Sequence, residues 1–202
     1  MGVLFGYLVD SSISNVNLNT SSQAKTNLVT GNSTQYCGGI VGYSCRVSFS
    51  NIKTENTFVK FPSCDQVGGI TGYSESSNIT DCHVIGFPSN SSAEIVRGYY
   101  EVGGISGIIV SQAKQTIVRI ERTGVVQGLI SAYKEVGSIF GEVVVNNQVF
   151  LSQCYSKRRV VVSCSSLFAG GLFGYFYIIT STTIEIKDSY SMSSVIGSGI
   201  YF

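Results

Sequence analysis

Residues Cys37–Tyr43 read CGGIVGY, and Val67–Tyr73 read VGGITGY. Three glycines and a tyrosine in seven residues, used twice, exceed what an isolated turn requires. The core of the motif recurs along the whole chain as GVLFGY from Gly2, GGIVGY from Gly38, GGITGY from Gly68, GGISGI from Gly103, GSIFGE from Gly137 and GGLFGY from Gly170. The spacings are 36, 30, 35, 34 and 33 residues, a period that marks a repeat architecture.

Behind each motif runs a looser echo: SISNVNL, SFSNIKT, SNITDCHVI, TIVRIER, LSQCYSK, IEIKDSYS. A third short apolar segment closes the unit: NLVT, TFVKF, AEIVRG, GLISAY, RVVVS. Short alternating runs rich in Val, Ile, Thr and aromatics, divided by Ser, Thr, Asn and Gly, read as strands. Three strands at a fixed period predict an all-β chain: one β-solenoid domain over 1–202, with about six rungs of 30–36 residues. Parallel crossovers are almost always right-handed, so a right-handed parallel β-helix is expected.

The motif assigns work to its positions. The third is Leu4, Ile40, Ile70, Ile105, Ile139 and Leu172; stacked at about 4.8 Å per rung, these form an inward ladder. Its neighbour (Phe5, Val41, Thr71, Ser106, Phe140, Phe173) varies in polarity. The fifth is glycine in all six copies: Gly6, Gly42, Gly72, Gly107, Gly141 and Gly174. It faces the same side as the ladder, so close packing is expected to exclude a side chain there. The leading glycines fit a corner that needs positive φ. The sixth position is Tyr7, Tyr43, Tyr73 and Tyr175, interrupted by Ile108 and Glu142. It predicts an outward aromatic strip, packing rung on rung and offering a surface for a carbohydrate or protein ligand.

These residues resemble the GLUG repeat, a glycine-rich motif of bacterial and protist surface proteins, adhesins and non-catalytic regions of immunoglobulin A peptidases. The resemblance rests on GGIVGY, GGITGY and GGLFGY, with SQCYSK and KDSYSM downstream, and extends over the chain at the level of the repeat. It implies a structural or adhesive role and carries no catalytic residues.

Composition agrees with a scaffold. Hydrophobic residues make up 44% of the chain, enough for a core. The net charge of +1 gives no pull toward nucleic acid. No apolar run reaches the roughly 18 residues of a spanning helix, so no membrane insertion is expected. The start MGVLFGYLVD has neither a basic region nor a small-residue cleavage site. Nothing resembling a cap precedes MGVLFGY or follows GSGIYF, so the chain reads as a segment of a longer repeat protein, or one that stacks end to end with other chains.

Chemistry-bearing residues are sparse. Cys37, Cys45, Cys64, Cys82, Cys154 and Cys164 form no CxxC pair, and with one histidine, His83, a zinc site is not expected; whether these thiols are buried fillers or disulfides stays open. Asn19, Asn32, Asn78 and Asn90 head N-glycosylation sequons, at a number little above chance. Lys157, Arg158 and Arg159 read as a solvated corner. No cofactor, metal or catalytic set is expected. Two alternatives to a non-enzymatic surface or extracellular module remain. One is an intracellular component of a filament or cytoskeletal assembly. The other is a carbohydrate-active β-helix, using Glu101 and Glu135 stacked on adjacent rungs near the roughly 5 Å separation of a retaining pair.

Overall fold

Each rung after the first begins with a three-residue strand, turns sharply at the leading glycines and leaves on a longer strand. The leading glycines make that corner possible through space rather than through φ. Among the described residues the only glycine with positive φ is Gly128, at 122°, so the expected left-handed corner is absent. A Cβ on Gly38, Gly68, Gly103 or Gly137 would instead run into the carbonyl oxygen three residues ahead. The chain folds back so tightly that only a hydrogen fits.

The computed structural model describes residues 1–19, 28–29, 35–87, 93–112, 117–179 and 182–197. It is an all-β parallel β-helix of about five turns. The incoming strands form a five-stranded sheet: Tyr36–Gly38, Gln66–Gly68, Glu101–Gly103, Glu135–Gly137 and Phe168–Gly170. The outgoing strands form a six-stranded sheet: Phe5–Val9, Val41–Cys45, Thr71–Glu75, Ser106–Ser111, Phe140–Val145 and Phe173–Ile178. The second and third segments of the repeat share one thirteen-stranded sheet. All assigned strand pairings are parallel. No helix among the described residues is long and apolar enough to cross a membrane.

Ile40, Ile70, Ile105 and Ile139 are fully buried, and Leu172 is half-buried against the core. Leu4, in the first rung, is 48% exposed. Their backbones are bonded in series: Ile40 N–H donates to Ile70 O, Ile70 to Ile105, Ile105 to Ile139 and Ile139 to Leu172, at 2.9–3.0 Å. The neighbouring column is also buried despite its mixed polarity, with Val41, Thr71, Ser106 and Phe140 at zero exposure. The hydroxyls survive there because they bond locally: Thr71 Oγ1 donates to Tyr73 O (3.0 Å) and Ser106 Oγ to Ile108 O (2.8 Å). Burial of a satisfied hydroxyl costs little.

A second periodic feature lies in the long sheet. Asn15, Asn51, Asp81, Arg122, Gln153 and Asp188 occupy one column, and all six have φ between 48° and 57°. Left-handed backbone costs a non-glycine residue about 1–2 kcal/mol, so its repetition in every rung marks a required bend. The residue after it turns inward: Ile52, Cys82, Thr123 and Cys154 are all fully buried. Thr123 Oγ1 donates to Glu121 O (2.9 Å) and accepts from the Cys82 amide (3.4 Å); Ser189 does the same for Lys187 O and the Cys154 amide. Hydroxyls and thiols thus serve as small corner fillers that tie one rung to the next.

Candidate functional site

The five- and six-stranded sheets close on each other behind the corner. A Cβ on Gly72 would lie 2.8 Å from the carbonyl of Gly42 and closer still to the amide of Cys37; Gly107, Gly141 and Gly174 meet backbone in the same way. Gly6, in the first rung, would meet nothing within 4 Å. The residues flanking this pinch, at the mouth of the arch, form a continuous stripe along the axis.

At one end of the stripe Tyr7, Tyr43 and Tyr73 stack with ring centroids 4.7 and 5.0 Å apart, and Tyr36 tilts against Tyr43 and Tyr73. Tyr43 donates its hydroxyl to Glu75 (2.6 Å). Burial pushes Tyr73 up to about 12. Tyr7 is two-thirds exposed, while Tyr43 and Tyr73 are half-buried. At the other end Tyr175 stacks on Phe168 (5.0 Å) and Tyr177 (6.4 Å). Ile108 is buried between the two groups.

Between the aromatic ends sit three carboxylates. Glu101 and Glu135 are register partners on neighbouring rungs. Glu142 joins them from the opposite sheet, and oxygens of all three lie within 4.8 Å of one another. Gln66 Nε2 donates to Glu101 Oε2 (2.6 Å). Burial, then the charges of Glu142 and Glu101, push Glu135 up to about 7; burial, then Glu101, does the same for Glu142. Glu101 is raised by burial. This trio is the only group of three or more His, Cys, Asp or Glu close enough to share an ion among the described residues. Glu142 escaped the sequence reading because it occupies the tyrosine slot of its rung, and only closure of the arch brings it to the other two.

The glycosidase alternative would use Glu101 and Glu135. Acid–base pairs work when their surroundings drive the two pKa values apart, leaving one carboxylate ionised and one protonated. Burial raises both Glu101 and Glu135, and Glu142 adds a third carboxylate beside them.

The remaining candidates are dispersed. Cys37 and Cys64 form a disulfide between adjacent rungs, whereas Cys45, Cys82, Cys154 and Cys164 are unbridged and buried. Burial holds the thiols of Cys82 and Cys154 up, to about 12 and 11. His83 is lowered by burial, and its Nδ1 lies 3.3 Å from the Tyr155 hydroxyl. Lys157 lies over the Tyr155 ring, 5.6 Å from its centroid. The Asn19 amide donates to Glu55 (2.7 Å), and Asn78 Oδ1 accepts from the Arg119 amide (2.9 Å). Asn32 and Asn90 lie outside the described residues.

No protein-family model, curated protein or solved structure matches this chain.

Proposed function

We propose that this chain is a non-enzymatic structural or adhesive repeat module of a surface or extracellular protein. The observation that carries the reading is the Cys37–Cys64 disulfide joining two rungs, because such bonds form and persist in oxidising compartments. Its supporting context is the use made of the repeated residues. Isoleucines fill the corner, glycines let the sheets meet, and hydroxyls and thiols brace the bends. Both end rungs of the described structure expose apolar side chains, Val3, Leu4 and Phe5 on one and Ile178, Ile186 and Ile196 on the other. A solenoid continued by further rungs, of this protein or of another chain, would cover them. The GLUG-like motifs and the Tyr7, Tyr43, Tyr73 and Tyr175 strip fit the same role.

The test is labelling of intact source cells with a membrane-impermeant amine reagent. A surface module is labelled without lysis, on exposed lysines such as Lys157 and Lys187. Labelling that appears only after lysis would place the protein inside the cell and defeat the reading.

A further inference from the structure

A second surface lies away from the tyrosine strip, where the chain passes from the long sheet into the five-stranded sheet. The segments RGYYEV (97–102) and SAYKEV (131–136) are equivalent there. Tyr133 N–H donates to Tyr99 O (3.0 Å), and the Tyr99 amide donates to Cys64 O (2.9 Å). The rings of Tyr99 and Tyr133 stack at 5.1 Å and 9°, and are 38% and 45% exposed. They border a groove of about 470 Å³, which meets a second of about 380 Å³ on the Pro62 side of Tyr99.

The polar groups of the groove are built rather than scattered. Glu94 accepts from the Ser131 hydroxyl and lies 3.3 Å from Lys60 Nζ and 3.6 Å from Arg97 Nη1. A planar carboxylate and a planar guanidinium are therefore set beside an aromatic pair, with Ser163 on the same wall.

We infer that the Tyr99–Tyr133 groove binds a neutral oligosaccharide. A pyranose presents C–H groups to an aromatic surface and adjacent hydroxyls to planar groups, which engage two at once. Lys60 and Arg97 face two carboxylates, Glu94 and, in the adjoining groove, Asp65, so an anion finds no net positive charge. A peptide strand finds little unpaired ladder, because backbone amides along this wall are engaged from rung to rung. A groove running across successive rungs favours several sugar units over one. The inference rests on the adhesive reading and supplies the class of ligand it needs.

The test uses the purified chain on an immobilised panel of neutral hexose and N-acetylhexosamine oligosaccharides. Retention of at least one panel member is expected. Tyr133→Ala and Arg97→Gln should each weaken it by about tenfold or more, while Tyr190→Ala, an exposed aromatic outside both surfaces, leaves it unchanged. The Arg97 side chain is half exposed, so Arg97→Gln keeps the test valid if Tyr133→Ala fails to fold. Retention of no member, or retention lost with Tyr43→Ala and not with Arg97→Gln, overturns the inference. Positive labelling of intact cells beside an empty panel would sink this site and leave the surface role standing.

Discussion

At the scale of single residues the glycine column makes the sharpest statement. Gly72 and Gly6 hold the same slot of the motif, yet an added side chain meets backbone at one and open space at the other. Gly72→Val is expected to abolish folding or lower the melting temperature steeply, because backbone cannot move aside as a side-chain tip can. Gly6→Val should change it by no more than an ordinary surface substitution. Equal effects, measured by thermal melts, would refute the close approach of the two sheets. Ile105→Ala, which empties a fully buried place in the ladder, should cost about 2–5 kcal/mol in denaturant titrations. The carboxylate trio gives a pH dependence of definite sign. Glu135 and Glu142 ionise near 4.5 ordinarily and near 7 in the fold. Between those values the folded chain holds more protons than the unfolded one. Their stabilisation is therefore complete below about pH 4.5 and is lost as pH rises through 7. The denaturation midpoint should fall from pH 5 to pH 8, and Glu135→Gln with Glu142→Gln should flatten that fall. A midpoint that rose over the same interval, with the flattening absent, would exclude the burial and mutual repulsion of these carboxylates in the arch.

Among the elements, the bend of the long sheet was the least legible in the sequence. The glycine period and the Ile/Leu slot announce themselves because each requires one kind of side chain. The left-handed column takes Asn, Asp, Arg and Gln in turn, since any residue can occupy it at a cost and the outward side chain is under no packing demand. The faint signal was the small or β-branched residue that follows it. Polarity gave no guide at the neighbouring column, where Thr71 and Ser106 are buried with their hydroxyls bonded to nearby backbone. The Glu142 contact and the Cys37–Cys64 bond depend on which rungs and sheets come together, which spacing alone leaves open. The bend can be tested at Gln153, exposed and with φ of 54°. Gln153→Gly should gain roughly 0.5–1 kcal/mol by relieving the left-handed penalty. Gln153→Val should lose more than 1 kcal/mol, roughly, as a β-branched residue in the same conformation. Unfolding titrations with the two substitutions in the reverse order would show that the bend is not left-handed.

For the whole molecule, each rung touches mainly its neighbours, so stability accumulates from one interface to the next. The disulfide is the covalent exception. It ties the incoming strand of one rung to the turn before the next and closes a separation of 27 residues, a constraint of typically about 2–4 kcal/mol. It also fixes the turn against which Tyr99 is bonded. Both the register of the solenoid and its proposed oxidising surroundings therefore meet in one bond. The direct measurement is the mass of the protein purified from its source, alkylated in denaturant before and after reduction, followed by peptide mapping. The account predicts four alkylated cysteines before reduction and six after, with Cys37 and Cys64 in one linked peptide pair. Six alkylated cysteines without reduction, or a bridge between any other two, would contradict it.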